Sequence, residues 1–276
     1  MKKKWLVSLL AVLTLAACGD EKETETNVEP KDVDSKEAVT LTVASLIPPM
    51  TEILDLVEPQ LAEEGIDLDV VVLSDNVQPN VALAAKEVDA NFFQHVPYME
   101  EFNRNNDANL VPIQAIYFAN YGVYSKNYDT IDAVPEGASV AIANDVSNID
   151  RSLKLLAQHG VIKLKEKSDV YYKLSDVEEN PKNLQFKEVD LLMLARMYDD
   201  ADVVVMTPAY AKPLGLTPKS DALLTEGTDN DFAITLVARE DNKDNEAIKK
   251  LAKALTSDVV REFLKENYDE TAIPAF

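Results

Sequence analysis

Residues 68–105 read LDVVVLSDNVQPNVALAAKEVDANFFQHVPYMEEFNRN, and this stretch decides the predicted fold class. Residues 68–73 form an apolar run that suits a buried parallel strand. Residues 79–88 have a helical pattern, residues 90–93 are extended, and residues 97–105 are helical again. Strands that alternate with helices in such short units are typical of an α/β fold.

The same alternation extends over the rest of the chain. Residues 39–43 (VTLTV) alternate with period two, as a half-buried strand does. A helical stretch then opens at Pro48-Pro49 and stops at Gly65. The further predicted strands are residues 122–125, 139–143, 202–206 and 232–239, and the further predicted helices are residues 148–159, 245–255 and 258–266, with another beginning at Pro208.

The first 18 residues carry the pattern of an export signal. Three lysines at 2–4 precede an apolar run at 5–17, and small residues stand before Cys18. The run has 13 residues, whereas a membrane-spanning helix needs about 20. The string Leu15-Ala16-Ala17-Cys18 resembles a bacterial lipobox, which implies a signal peptide at 1–17, cleavage before Cys18 and diacylglycerol on its sulfur. The alternative is a plain signal peptide with a chance cysteine.

Residues 18–38 are predicted to be a lipidated, disordered, acidic tether. Between 19 and 38 the sequence has eight acids and three lysines, with two valines as its larger apolar residues. Such a segment buries too little apolar area to offset its chain entropy. The globular part therefore starts near Val39.

Charge and cysteine content exclude several classes of function. The chain has 49 acidic and 27 basic residues and a formal net charge of −22, which becomes −25 without the three lysines of 1–17. Such a surface repels nucleic acid and anionic headgroups, and it also favours solubility. Because Cys18 is the only cysteine, the mature chain has no internal disulfide, no thiolate metal site and no cysteine nucleophile. We predict no nucleic-acid partner, no metal and no cofactor.

The most unusual local string is DANFFQH at 89–95, followed by Pro97 and Tyr98. It lies at a strand-to-helix junction, where ligands of α/β proteins usually bind. Phe93 and Tyr98 are candidates for the walls of an apolar slot, and His95 is a candidate for fixing a polar group. The alternative is that the phenylalanines belong to the core and that His95 begins a surface helix.

A second candidate site lies at 144–151, which reads NDVSNIDR directly after a predicted strand. Ser147 or Asn148 is predicted to cap the following helix, whose free N–H groups favour an anion. Arg151 in the first turn adds a bidentate partner suited to a carboxylate. The alternative is an ordinary surface ion pair at Arg151.

Several strings together carry a family resemblance. They are the lipobox, QPN at 78–80, DANFFQH with Pro97 and Tyr98, YSK at 124–126, AND…SN…RSL ending at Leu153, GVIKLK at 160–165, ENPKNL at 179–184 and AREDN at 238–242. With them the chain resembles the NlpA/MetQ-like family of methionine-binding lipoproteins, the substrate-binding components of ABC importers.

The resemblance implies a two-lobed binding protein of the periplasmic-binding-protein type II fold. Each lobe has an α/β sheet, the chain crosses between lobes twice, and the ligand is clamped in the cleft. The crossings are expected near 121–126 and 232–239. Lobe one is then 39–123 plus 235–276, and lobe two is 124–234.

The resemblance also assigns roles to individual residues. Arg151 matches the arginine that pairs with the ligand carboxylate, and His95 matches a pocket histidine. Phe93 and Tyr98 match aromatic residues around the ligand. Asn148 matches a polar residue on the lobe-two side.

The chain departs from the family pattern at positions of the expected pocket. A pocket tyrosine is replaced by Asn76, and an aromatic of the first crossing falls at Ala119-Asn120. Two asparagines that hold the ligand's polar head are replaced by Thr207 and Ile234. We therefore expect Asn76, Asn120 and Thr207 in the ligand site, and either new polar partners or a ligand other than free methionine.

The predicted function is binding without chemistry. We expect a lipid-anchored receptor on the extracytoplasmic face that delivers methionine, another amino acid or a short peptide to an ABC permease and its ATPase subunit. An enzyme is disfavoured because the chain has two histidines and lacks the HExxH and GxSxG motifs. The remaining alternatives are a ligand other than methionine and an adhesin-like surface lipoprotein.

Overall fold

The structure, a computed structural model, describes residues 38–166 and 170–276. Two large β-sheets organise this part of the chain. The predicted signal peptide at 1–17, Cys18 and all but the last residue of the predicted tether lie outside the described residues. In chain order the strands are Val39–Ser45 (β1), Ile66–Val72 (β2), Ala90–His95 (β3), Leu110–Ala119 (β4), Gly122–Tyr124 (β5), Ser139–Ala143 (β6), Lys163–Leu164 (β7), Val177–Glu179 (β8), Gln185–Val189 (β9), Val203–Met206 (β10), Ala222–Thr225 (β11), Ala233–Arg239 (β12) and Ala272–Pro274 (β13).

Helices connect most of these strands. The α-helices are Met50–Glu63 (α1), Gln78–Ala84 (α2), Val96–Asn106 (α3), Val146–Gln158 (α4), Leu194–Asp200 (α5), Pro208–Ala211 (α6), Pro218–Asp221 (α7), Glu246–Leu255 (α8) and Asp258–Asn267 (α9). Short 3-10 turns lie at Ile131–Ala133, Leu174–Asp176, Leu191–Met193, Lys212–Leu214 and Asp269–Thr271. The predicted α/β fold class is thus confirmed.

The first sheet has six strands in the order β13-β4-β12-β3-β1-β2. Strand β1 pairs in parallel with β2 and β3, whereas β12 lies antiparallel between β3 and β4. One face packs against α1, α8 and α9, and the other packs against α2 and α3. This sheet therefore has a hydrophobic core on each face.

The second sheet has five strands in the order β11-β5-β10-β6-β9. Strand β6 is parallel to β9 and β10, and β5 is antiparallel to β10 and β11. Helix α4 covers one face with Leu153, Leu155 and Leu156, and α5 and α6 cover the other. Since its core clusters share no residue with those of the first sheet, each sheet is the centre of its own lobe.

The chain passes between the sheets at two places. Strand β4 ends at Ala119 in the first sheet and β5 begins at Gly122 in the second, while the return path runs from the end of β11 at Thr225 to the start of β12 at Ala233. Both passages lie a few residues before the predicted lobe boundaries at 123/124 and 234/235. Gly122 fits the first passage because a Cβ there would lie 2.8 Å from atoms of the Tyr124 ring.

The structure corrects three local predictions. The strand predicted at 68–73 is parallel but not buried, because β2 is an edge strand in which Val72 is 60% exposed. Strand β4 has no counterpart among the predicted elements. Helix α4 begins two residues earlier than predicted, and its N-cap is Asp145 rather than Ser147 or Asn148, since the Asp145 carboxylate accepts from the Asn148 N–H at 3.0 Å.

Candidate functional site

A cavity lies between the two sheets, where β1, β3, β6 and β10 reach their carboxyl ends. In α/β proteins, ligands usually bind at the carboxyl ends of the parallel strands. Seven of the eight predicted ligand residues line the cavity. They are Asn76, Phe93, His95 and Tyr98 on the first-sheet side, and Asn148, Arg151 and Thr207 on the second-sheet side.

Aromatic rings form one wall of the cavity. The rings of Phe93 and Tyr98 meet edge to face, with centroids 6.0 Å apart and an interplanar angle of 85°. Phe93 lines the cavity although it is only 7% exposed, whereas its neighbour Phe92 is fully buried in the core beneath Tyr117. Phe93 therefore lines the cavity, and Phe92 belongs to the core.

His95 is a buried, neutral link between the lobes. Its Nδ1 accepts from the Tyr98 N–H at 3.2 Å, which makes His95 the N-cap of α3, and its Nε2 lies 3.3 Å from Asn148 Oδ1. With Nδ1 accepting, the ring proton is on Nε2 and donates to Asn148. Burial, reinforced by the positive charge of Arg151, lowers the pKa of His95 to about 3. Both ring nitrogens are thus used inside the protein.

The side-chain amide of Asn148 also forms its hydrogen bonds within the protein. Its Nδ2 donates to both carboxylate oxygens of Asp145, at 3.1 and 2.9 Å, while its Oδ1 faces His95. The N-cap of α4 thereby orients the amide, and the amide in turn orients the imidazole. This chain of contacts joins the start of α4 in one lobe to the start of α3 in the other.

Arg151 pairs with the buried carboxylate of Glu226, which no pattern in the sequence marks. The Arg151 and Glu226 side chains are 3% and 4% exposed, and Nε of Arg151 donates to the two Glu226 oxygens at 3.2 and 2.9 Å. Nη2 donates to Glu226 as well and to the Ala119 carbonyl at 2.8 Å. Nη1 forms no hydrogen bond with any described residue. The guanidinium is therefore neutralised on one edge and retains donors on the other.

Two aromatic rings flank the Arg151 guanidinium. Its Cζ lies 4.3 Å from the Tyr121 ring centroid and 4.9 Å from that of Phe232. Tyr121 comes from the first passage between the sheets, and Phe232 and Glu226 come from the second. The arginine thus contacts both passages at once, which an ordinary surface ion pair would not do.

Asn120 is the predicted ligand residue that the cavity does not contain. It is 5% exposed, and its Oδ1 accepts from the Gly227 N–H at 3.1 Å. Its amide oxygen joins the two passages instead, so the cavity wall gives no support to the prediction that Asn120 faces the ligand. Its neighbour Ala119 does line the cavity.

Asn76 connects the lobes near the aromatic wall. Its Nδ2 lies 3.4 Å from the hydroxyl oxygen of Tyr210, and its backbone carbonyl accepts from the Tyr98 hydroxyl at 3.0 Å. Burial, followed by the charge of Asp145, raises the pKa of Tyr98. Together with Asn76, the positions Ala119, Thr207 and Ile234, where the chain departs from the family pattern, all line the cavity.

Lys212 is a second cation at the cavity, and no motif predicts it. It lines the cavity at the end of α6, where its Nζ lies 4.1 Å from the centroid of the Tyr268 ring. It forms no ion pair with any described residue. Nothing in its local sequence, AYAKPLG, predicts a binding-site lysine. Tyr268 and Thr271, which line the same cavity, are distant in the sequence and are brought to it by the fold.

Contacts outside the cavity also join the two lobes. The Tyr171 hydroxyl donates to the Pro97 carbonyl at 2.9 Å, and the Arg104 guanidinium lies 4.9 Å from the Tyr171 ring centroid. At another edge, the Lys219 ammonium lies 3.2 Å from an Asp269 carboxylate oxygen. The described arrangement is therefore one in which the lobes are in contact.

A buried network of amides holds β3 in place behind the cavity. Asn91 Nδ2 donates to the Pro79 carbonyl at 3.1 Å and to Asn80 Oδ1 at 2.9 Å, while its Oδ1 accepts from Gln94 at 2.9 Å. Asn80 and Gln94 also pair directly. All three amides are buried, so each lost partner leaves a polar group without water.

We expect Asn91→Ala to lower the free energy of unfolding by about 3 kcal/mol, because it leaves several buried polar groups unpaired. Urea unfolding measures the change. Asn106→Ala is the matched control, since the exposed Asn106 amide bonds, among the described residues, only to the Phe102 carbonyl, and about 0.5 kcal/mol or less is expected there. Equal losses in the two variants would contradict the structural role of the network.

The described ranges contain neither a metal-binding cluster nor a membrane-spanning helix. Within 38–166 and 170–276, no cluster of three histidine, cysteine or acidic side chains is arranged to hold a metal ion. In the same ranges, no helix has the length and apolar character needed to cross a membrane.

Comparison with known proteins gives consistent matches over the globular part. The model of the NlpA lipoprotein family matches residues 41–276. The methionine-binding lipoprotein MetQ of Bacillus subtilis is 38% identical over 281 residues, which cover 99% of each chain. A nutrient-binding protein from Burkholderia cenocepacia, whose structure was solved bound to methionine, is 34% identical with a TM-score of 0.82, over 86% of this chain and 100% of that one. A YaeC-family lipoprotein from Enterococcus faecalis is 41% identical with a TM-score of 0.76, over 86% and 99% of the two chains.

Proposed function

Because the chain belongs to the NlpA lipoprotein family, we propose that it is the substrate-binding receptor of an ABC importer, with an amino acid or a close derivative as its ligand. The observation that carries this function is the cavity between the lobes, to which both sheets contribute residues. A ligand bound there contacts both lobes and stabilises their closed arrangement. The function is binding, and the ATPase that drives transport is a separate subunit.

Within the cavity we assign the ligand's carboxylate to Arg151. Its Nη1 has no protein partner among the described residues, and the Glu226 pair fixes the plane of the guanidinium. Phe93 and Tyr98 form the apolar slot for the rest of the ligand. His95 and Asn148 use their polar atoms within the protein, so we infer that they shape the slot and join the lobes rather than hold the ligand's polar head.

We further propose that the lobes, approximately 39–123 plus 235–276 and 124–234, move as units about the two passages. The contacts of Tyr171 with Pro97 and of Lys219 with Asp269 bridge the lobes only when they are closed. Closure is then the state that a permease can distinguish from the open receptor. Attachment through a diacylglycerol on Cys18 would keep the receptor at the extracytoplasmic face of the membrane, since two acyl chains are needed for stable anchoring.

Mass spectrometry of the small molecules released by denaturing the purified protein tests the ligand assignment. We expect an amino acid, an amino-acid derivative or a short peptide at near one equivalent. Methionine at near one equivalent would show that Asn76, Ala119, Thr207 and Ile234 still accommodate it. Calorimetric titration with L-methionine, with other amino acids and with their derivatives covers ligands lost during purification, and a protein that binds none of them would contradict the proposed function.

The carboxylate assignment has its own test in the double variant Arg151→Met/Glu226→Leu. It removes the charged pair together and so leaves no buried charge unpaired. We expect it to remain folded and to lose about tenfold or more in affinity for a carboxylate ligand, as measured by calorimetry. Unchanged affinity in the folded variant would show that the carboxylate binds elsewhere.

A further inference from the structure

Tyr171 is a buried residue at the border between the two lobes. It is 8% exposed, whereas the preceding Val170 is 65% exposed, so only one of these two side chains turns inward. The Tyr171 hydroxyl donates to the Pro97 carbonyl at 2.9 Å, and the Arg104 guanidinium lies 4.9 Å from the ring centroid. Both partners belong to α3 of the first-sheet lobe. Part of the burial of Tyr171 therefore comes from the lobe to which it does not belong.

The residue after Tyr171 is fixed to the second-sheet lobe. The Tyr172 N–H donates to Asp150 Oδ1 at 2.8 Å, and the Tyr172 side chain packs against the hydrophobic core of this lobe. The Asp150 carboxylate is buried and also pairs with Lys154 at 2.7 Å. Asp150 lies on α4 directly before Arg151. The backbone beside Tyr171 is thus held to the helix that carries the cavity arginine.

The contact with α3 is made at the turn that forms part of the cavity wall. In the chain, Pro97 stands between His95, the N-cap of α3, and Tyr98. Both of these neighbours line the cavity, whereas Tyr171 does not. Tyr171 therefore reaches the first turn of α3 from outside the cavity, while a ligand would contact the same turn from inside.

A hydrogen bond between the lobes acts on the exit of a ligand. A ligand enclosed by two lobes leaves after the lobes open. Opening exchanges the bond between the Tyr171 hydroxyl and the Pro97 carbonyl for bonds to water, and the net difference for such an exchange is about fivefold in an equilibrium constant. Because the bond forms when the lobes close on the ligand, its loss affects the release rate rather than the association rate.

On the basis of the receptor function proposed above, we propose that Tyr171 is a positioning residue that slows the release of the ligand. It holds the first turn of α3 against the second-sheet lobe without contacting the ligand. The Arg104 guanidinium, packed on the ring, stabilises Tyr171 in this position. The lifetime of the closed receptor is then set in part by a residue outside the cavity.

Tyr171→Phe tests this role because it removes the hydroxyl and keeps the ring beside Arg104. The protein, freed of bound ligand by unfolding and refolding, is mixed with L-methionine as the probe, and stopped-flow tyrosine fluorescence gives both rates. We expect release to be about fivefold faster and association to be unchanged. Tyr128→Phe is the matched control, since Tyr128 packs against the core of the same lobe and, among the described residues, only its N–H is hydrogen-bonded, to Ser125. Neither rate should change there.

The urea midpoint of the ligand-free protein separates a role in closure from a role in the fold. A hydrogen bond that serves closure is replaced by bonds to water when the lobes are open, so Tyr171→Phe is expected to unfold at the wild-type midpoint. A bond that merely supports the fold would lower the midpoint of the variant whether or not a ligand is present.

The outcomes separate this inference from the receptor function. Release of L-methionine at the wild-type rate from folded Tyr171→Phe overturns the inference and leaves the receptor function standing, because binding itself is retained. Faster release together with a lowered midpoint of the ligand-free variant also overturns it. A wild type that does not bind L-methionine overturns the inference, whose premise is closure around an amino acid, and the receptor function is then decided by the other compounds of the calorimetric titration.

Discussion

Replacing Glu226 with alanine is expected to lower the free energy of unfolding by about 3–5 kcal/mol, the usual effect of leaving a buried charge without its partner. Arg151 and Glu226 are 3% and 4% exposed, so neither charge is compensated by water. After the substitution, the guanidinium keeps the Ala119 carbonyl as a hydrogen-bond partner and the faces of Tyr121 and Phe232. Urea unfolding followed by circular dichroism measures the loss.

The double variant Arg151→Met/Glu226→Leu supplies the comparison. Since apolar residues of similar size often replace a buried ion pair at little cost, its stability is expected within about 1 kcal/mol of the wild type. Glu246→Ala controls for the loss of an acid as such, because Glu246 is exposed at the start of α8. If Glu226→Ala were no less stable than the double variant, Arg151 would not depend on Glu226 for its charge compensation.

The pair matters beyond stability because of where its neighbours lie. Ala119 and Tyr121 belong to the first passage between the sheets, and Glu226 and Phe232 belong to the second. Arg151 projects from α4, the helix that packs on the second sheet. One side chain therefore joins both passages to the helix that also carries Asn148, so a ligand on Arg151 would act directly on the segments about which we propose that the lobes move.

The elements predicted from the sequence are those whose pattern is local. Strands β6 and β12 and helices α8 and α9 are confirmed within a residue or two, because apolar periodicity and flanking turn residues mark them. Strand β4 has no such mark. It includes Pro112, a residue type that a central strand usually excludes, and a register shift in its pairing with β12 lies beside this proline.

The sequence predicted only those site residues whose own side-chain chemistry is distinctive. Aromatic, imidazole and guanidinium groups at strand-to-helix junctions pointed to Phe93, His95 and Arg151, all of which line the cavity. Glu226 is one of 49 acids, and 75 positions separate it from Arg151, so no local pattern distinguishes it. Asn120 shows the reverse case, since the sequence predicts an amide that faces the cavity, whereas its side-chain oxygen accepts from the Gly227 N–H.

Lowering the pH from 7 to 5 is expected to cost the wild type about 2 kcal/mol of stability through His95 alone. Burial, reinforced by the Arg151 charge, lowers the pKa of His95 from 6.5 in the unfolded chain to about 3 in the folded one. Below pH 6.5 the unfolded chain therefore binds a proton that the folded protein excludes. The stability is complete above pH 6.5 and declines as the pH falls from 6.5 towards 3.

His95→Gln isolates this contribution, because glutamine does not titrate and still offers a donor towards Asn148. The difference in unfolding free energy between wild type and variant, measured in urea at several pH values, cancels the titration of the acidic groups that the two proteins share. We expect this difference to be constant between pH 7 and 8 and to shift against the wild type by about 2 kcal/mol at pH 5.

A difference that does not change with pH would mean that His95 is protonated as easily in the folded protein as in the unfolded chain, and the neutral link to Asn148 would then be wrong.

The titration of His95 also bears on the closure of the lobes. Arg151 approaches His95 from the opposite lobe, so opening the lobes would remove the positive charge that helps to lower the His95 pKa. Acid should consequently favour the open receptor, and ligand affinity should be lower at pH 5 than at pH 7 in the wild type but not in His95→Gln.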